Sequence, residues 1–159
     1  MKPMSIETVR LFLREKGFED RIREFGVSSA TVNLAAQAVG CEPARIAKTL
    51  SFENGDGCLL IVAAGDRKID NAKFKAAFHM KAKMLSPDRA LELTGHAVGG
   101  VCPFALPEGV SVYLDKSLQR FSTVFPACGS SHSAIELTCG ELAEYSRCNS
   151  WIDVTKPAE

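Results

Sequence analysis

The residue types that could do chemistry gather around Lys48. In the stretch Ala44-Arg45-Ile46-Ala47-Lys48-Thr49-Leu50-Ser51-Phe52, the alternation from Lys48 onward is that of a strand. It sets Lys48, Leu50 and Phe52 on one face and Thr49 and Ser51 on the other. A lysine thus opens the apolar face, and two readings stand. One is a strand-end lysine whose stem packs on Leu50 while its ammonium reaches water. The other is a cation at the rim of a pocket, held to meet an anion or a polarised carbonyl. Cys102 is a candidate nucleophile, but no helix N-terminus or base is at hand to lower its pKa. Ser130, Ser131 and His132 lack the G-x-S-x-G elbow of a serine esterase. His79, His96 and His132 show no metal-ligand spacing, and no GxGxxG or P-loop pattern occurs. Neither a metal nor a cofactor is expected.

The elements that must position these residues can be read in order. Ser5 is placed to cap a helix with Ile6, Val9, Phe12 and Leu13 at helical spacing and Gly17 as its stop. Glu19 to Glu24 continue as a solvated helical or turn segment. Thr31 caps an alanine-rich helix, Val32 to Val39, closed by Gly40. Pro43 sits in the first turn of a short helix ending just before Lys48. The strand Lys48 to Glu53 meets Asn54-Gly55-Asp56-Gly57, a turn signal, and then Cys58 to Ala64, apolar on both faces; this predicts a hairpin into a central strand. Asp70 caps a helix that buries Phe74 and Phe78, and Ser86-Pro87 starts another that ends at Thr94-Gly95. Strands are expected at 111–114, 123–127, 134–138 and 150–154, with a turn at Gly129-Ser130-Ser131-His132-Ser133 and a short helix at Glu141 to Tyr145.

Two stretches are ambiguous. Between Arg67 and Lys83, lysine and arginine outnumber aspartate, which reads either as a solvated helix face or as a surface contacting phosphates through Arg67, Lys68, Lys73 and Lys75. In Gly99-Gly100-Val101-Cys102-Pro103-Phe104, two glycines before a proline let a backbone approach a ligand closely, although a plain loop over a buried phenylalanine would look the same.

Composition bounds the rest. A chain of 159 residues, 46% hydrophobic and 24% charged, fits one domain with a real core. No apolar run approaches the roughly 20 residues that cross a bilayer, and no signal-peptide pattern opens the chain, so no membrane and a cytoplasmic location are expected. Its six cysteines have neither zinc spacing nor the density of a disulfide scaffold. A formal net charge of zero argues against wholesale coating of nucleic acid, DNA included.

Taken together, Thr31 with its alanine-rich helix, Ile46-Ala47-Lys48-Thr49-Leu50, Gly65-Asp66-Arg67-Lys68-Ile69-Asp70, Gly99 to Phe104 and Ala134-Ile135-Glu136-Leu137 resemble, in this order, the YbaK/prolyl-tRNA synthetase-associated editing domain family. The resemblance covers nearly the whole chain, residues 1–159. It implies a mixed α/β (α+β) fold, a barrel-like β-sheet flanked by helices. It also implies a free-standing enzyme that hydrolyses mischarged aminoacyl-tRNA, with the tRNA acceptor end, and a synthetase, as partners. On this resemblance Lys48 is the functional lysine. Thr31, Thr49, Gly99, Gly100, Val101, Cys102, Pro103, Phe104, Gly129 and His132 then contact substrate, and Arg67, Lys68, Lys73 and Lys75 contact the tRNA body. Where the family often has Pro-Phe-Gly, this chain has Pro103-Phe104-Ala105, which implies a differently shaped loop.

The chemistry is compatible with these residues. A synthetase pocket rejects smaller or isosteric amino acids by only a few kcal/mol, so a second site must destroy the mistakes. An aminoacyl ester is already activated. A pocket that positions it, a cation on the 3′-terminal phosphate or carbonyl, and backbone N–H groups at the oxyanion suffice, with water or a substrate group as nucleophile. A non-catalytic module that binds aminoacyl-tRNA or a synthetase would share the same fold and the same lysine.

Overall fold

The computed structural model describes residues 5–97 and 99–158. Helix α1 (Ser5–Glu15) turns its Ile6, Val9 and Leu13 stripe into the core and stops before Gly17, at φ +80. The expected Ser5 cap rests on a side chain outside the described residues. The following acidic segment is not wholly a solvated turn, because Ile22–Glu24 forms strand β1.

Helix α2 (Val32–Val39) is bounded as the sequence predicts: Thr31 Oγ1 accepts the Leu34 N–H at 3.2 Å, and Gly40 closes it at φ +86. The turn at Pro43–Arg45 ends earlier than expected, since strand β2 (Ile46–Asn54) already begins at Ile46. Strand β2 and strand β3 (Gly57–Ala64) form an antiparallel hairpin closed by Gly55-Asp56. Residues Cys58 to Ala64 are buried on both faces, as befits a central strand.

Strand β4 (Arg67–Ile69) leads to α3 (Asn71–Phe78), whose first turn is capped by Asp70 accepting from the Ala72 and Lys73 N–H groups. Phe74 seats α3 in a row of rings: Phe52–Phe74, Phe74–Phe78 and Phe78–Tyr113 centroids stand 5.0, 4.7 and 5.0 Å apart. Helix α4 (Pro87–Thr94) is capped by Ser86 and ended by Gly95 in the left-handed region. Then come β5 (Ser111–Asp115), β6 (Thr123–Pro126), β7 (Ser133–Ile135), β8 (Leu137–Thr138), α5 (Cys139–Ser146), β9 (Ser150–Ile152) and β10 (Thr155–Pro157). The strand expected at 134–138 is thus two short ones, with β7 on β1 and β8 on β6.

The main sheet has the order β8-β6-β2-β3-β5-β9 and mixed directions, with β6 parallel to β2 and β5 parallel to β3. It curls as a half-barrel with helices against it, the mixed α/β arrangement expected. Leu60, Val62 and Ala64 face a core completed by α1 and α5, while Leu59 and Ile61 face Phe52 and Phe74. Buried Asp115 ties in the chain end, accepting from the Val154 N–H (2.9 Å), the Thr155 hydroxyl (2.8 Å) and the Ser117 N–H (3.0 Å). Strand β10 in turn pairs with β4. No helix among the described residues is long and apolar enough to cross a membrane.

Candidate functional site

A cavity of about 360 Å³ opens along the outer edge of β2. Because the strand presents this edge rather than a face, both faces contribute to the lining: Lys48 and Leu50 from one, Thr49 and Ser51 from the other. Small residues make up much of the wall, with Ala30 and Ala35 at α2, Ala47 on β2, Ala90 on α4, and Ala127 and Ala134 around the end of β6 and the start of β7.

Lys48 is half-buried at this edge and its Nζ donates to the Arg67 carbonyl of β4. The ammonium is thus tied to a carbonyl of β4 rather than left to water alone. A chain of contacts fixes that carbonyl. Asp115 holds Thr155, and Arg67 donates from Nε to Thr155 Oγ1 (3.1 Å) and from Nη2 to Thr155 O (3.0 Å). Burial pushes the Lys48 pKa down, opposed by the charge of Asp66. Asp66 is itself engaged by Arg120 at 2.6 and 3.0 Å, and among the described residues no carboxylate pairs directly with Lys48.

The cavity's opposite wall is stiffened from behind. Phe125 lines it, and the Arg45 guanidinium lies 5.1 Å from its ring centroid while also donating to Glu136. Glu136 also accepts from the Thr123 hydroxyl at 2.7 Å. Ser29 and Ser133 are buried beside it, and the Ser29 N–H donates to Ser131 O at 2.6 Å.

Of the residues singled out in the sequence, Lys48, Thr31, Thr49, Gly99 and Val101 line the cavity. The others do not. Gly100 and Gly129 are buried against each other: a Cβ on Gly100 would lie 2.6 Å from Ser130 N and 2.7 Å from Gly129 C. The glycine is required for backbone-on-backbone packing, not for approach to a ligand. Cys102 and Phe104 alternate inward from Val101 and are fully buried in the main core, and Pro103 is buried beside a separate hollow next to Phe12 and Tyr145. His132 is exposed, with its Nδ1 3.0 Å from Ser131 Oγ. Ala105 stands in the left-handed region, φ +55, where a glycine would sit without cost and an alanine bears strain of about 1 kcal/mol.

The basic segment also divides. Arg67 is spent on Thr155, and Lys73 pairs with Asp153 (3.1 Å) and Thr155 O (3.0 Å), so both serve the β4–β10 junction. Lys68 and Lys75 are exposed. Residues missed in the sequence include Leu50, Met84, Leu85, Pro87, Ala90 and Phe125. Leu50 could have been found from its place beside Thr49; the segment at 84–90 carries no local signal.

Cys102 has a base-type neighbour that the sequence did not reveal, His96, but both lie in the core away from the cavity and burial disfavours the thiolate. Burial pushes its thiol up to about 12, and its Sγ faces His96 Nε2 at 3.6 Å inside the core. His96 is held neutral by burial, with Nε2 on Phe104 O at 3.0 Å. Cys102→Ser should therefore leave the chemistry of the cavity in place and cost stability, about 1 kcal/mol, because the hydroxyl is buried in the core but keeps His96 Nε2 and the Phe104 backbone within reach. Denaturant unfolding alongside turnover checks this, and a covalent adduct trapped on Cys102 would contradict it.

Comparison with known proteins bears on this site. The aminoacyl-tRNA editing domain model matches residues 27–145, a span that contains every residue lining the cavity. Protein YwhH of Bacillus subtilis (strain 168), itself uncharacterized, is 55% identical over 157 residues, 98% of this chain and 100% of that one. A proline–tRNA ligase of Lysinibacillus sphaericus (strain C3-41) is 29% identical over 90 residues, 56% of this chain and 16% of the ligase. The crystal structure of a candidate trans-editing enzyme for prolyl tRNA synthetase superposes with a TM-score of 0.86 at 29% identity, covering 98% of this chain and 99% of that one.

Proposed function

Because the chain belongs to the aminoacyl-tRNA editing domain family, we propose that it is a free-standing deacylase that hydrolyses the ester of a mischarged tRNA. The substrate class is tRNA(Pro) carrying alanine, cysteine, serine or threonine, and residues 1–159 act as one editing domain on the acceptor end. The observation that carries this reading is the cavity along β2, where a half-buried cation meets small-residue walls and none of the described lining residues is a cysteine or histidine. That combination suits an ester that needs positioning and charge stabilisation more than acid–base chemistry. Water attacks the ester carbonyl, the bond to the ribose oxygen breaks, that oxygen leaves with one of the water's protons, and the amino acid departs as its carboxylate with the other proton released to solvent.

The choice of proline tRNA is supported by the similarity to part of a proline–tRNA ligase and to the candidate trans-editing enzyme. A panel of mischarged tRNAs tests the reading: turnover is expected on tRNA(Pro) bearing a small wrong amino acid and not on Pro-tRNA(Pro). Binding without turnover across the panel would make the protein an adaptor.

The exposed part of the basic segment offers a second check. Lys68→Ala combined with Lys75→Ala should weaken binding to tRNA of any sequence and lower the slope of log K against log salt by about 1 to 2. Hydrolysis of a minimal aminoacyl-adenosine should be unaffected. An unchanged salt slope would return the segment to a solvated face.

A further inference from the structure

The edge of β2 is interrupted at one residue, and that residue lies in the cavity. Asn54 and Gly57 face each other across the Gly55-Asp56 turn, so the even-numbered residues of β2 exchange hydrogen bonds with β3. Odd-numbered residues point their N–H and C=O groups outward. On this outer edge β6 pairs alongside Ile46 and Ala47 and goes no further. Beyond the gap, Leu85 N–H donates to Ser51 O (3.1 Å) and Glu53 N–H donates to Lys83 O (2.8 Å). Thr49 lies between the two coverings. One more step of the 83–85 register would set its carbonyl opposite position 87, but Pro87 has no N–H to give. Among the described residues nothing pairs with this edge at Thr49. A second observation points the same way: Thr49 Oγ1 is buried and has no hydrogen-bond partner. A strand edge that no neighbouring strand continues, with a buried hydroxyl that has no partner beside it, calls for a polar ligand.

We propose that Thr49 holds the aminoacyl group as a one-residue extension of the sheet. This rests on the deacylase reading and deepens it. An α-aminoacyl ester carries a donor and an acceptor with the spacing of one strand residue. Its α-ammonium donates to Thr49 O, with Thr49 Oγ1 as a second acceptor, and its ester carbonyl accepts from the Thr49 N–H. The same N–H stabilises the oxyanion when water adds, and Lys48 stands one residue away on the adjoining face. The site therefore reads the α-amino ester itself, and the alanine-lined walls are left to sort side chains by size.

The test uses the full chain with 3′-deoxy-3′-(L-alanylamino)adenosine, a non-hydrolysable amide, and with mischarged Ala-tRNA(Pro). The analogue should shift the Thr49 amide proton downfield and slow its exchange. Replacing residue 49 by the α-hydroxy analogue of threonine, which removes that N–H and weakens the Lys48 carbonyl as an acceptor toward β3, should weaken analogue binding about tenfold and lower kcat/KM at least as much, with the same ester placed at Ser51 as the control for the weakened carbonyl. Thr49→Val should weaken analogue binding several-fold. An unshifted Thr49 amide with turnover intact overturns the Thr49 proposal and leaves the deacylase. A shifted amide without turnover of any mischarged tRNA supports the docking and overturns the deacylase. Neither binding nor turnover overturns both.

Discussion

Lys48→Met lowers deacylation of mischarged tRNA by about 10- to 100-fold, the worth of one positioned charge-assisted contact of about 1.5–3 kcal/mol. The methionine keeps the stem that packs along the β2 edge and deletes the ammonium, so relief of a half-buried charge is set against loss of the donor to the Arg67 carbonyl and the fold should change in stability by no more than about 1 kcal/mol. Burial disfavours the charged form, which is why the pKa of Lys48 is lowered. The sign for stability follows: the folded state binds this proton less tightly than the unfolded chain does, so the penalty is full at low pH and is relieved as pH rises through the lowered pKa. Activity runs the other way. Once background base hydrolysis is subtracted, the rate should fall as pH rises through a pKa below the ordinary 10.5, and this alkaline limb should vanish in Lys48→Met. A folded variant with near-normal rates would remove Lys48 from the mechanism.

Gly100→Ala should damage both the fold and the site. Its Cβ would lie 2.6 Å from Ser130 N and 2.7 Å from Gly129 C and Ser130 Cα, all of them backbone atoms that cannot swing aside. The loops at 99–101 and 129–131 must part, an overpacking cost of about 1–3 kcal/mol. Ser131 O accepts from the Ser29 N–H, and Ser29, Gly99 and Val101 all line the cavity, so the wall moves with the loops. A displacement of about 1 Å in a positioning wall is enough for roughly a 100-fold loss in turnover. Thermal unfolding and kinetics on the same preparation test this together, and a variant with unchanged midpoint and rate would show that the two loops are not in rigid contact.

Local signals in the chain determined the elements whose cause is local. Thr31, Asp70 and Ser86 each cap the helix that follows, Gly40 and Gly95 end theirs in the left-handed region, and Asn54-Gly55-Asp56-Gly57 turns the hairpin, because each of these acts on backbone groups only a few residues away. The alternation around Lys48 likewise put Lys48 and Thr49 on opposite faces. Only the tertiary structure decided which neighbours meet the cavity. Strands β1, β4 and β10 form through partners at Ile135, Thr155 and Ile69 far along the chain, and no short window records such pairing. The same holds for depth: Val101 reaches the cavity while Cys102 enters the core, and Lys68 is exposed while Arg67 is spent on Thr155. The gap at Thr49 is the sharpest case. It exists because β6 stops at Pro126 and a proline stands at 87, two distant facts that share one strand edge only after the chain has folded.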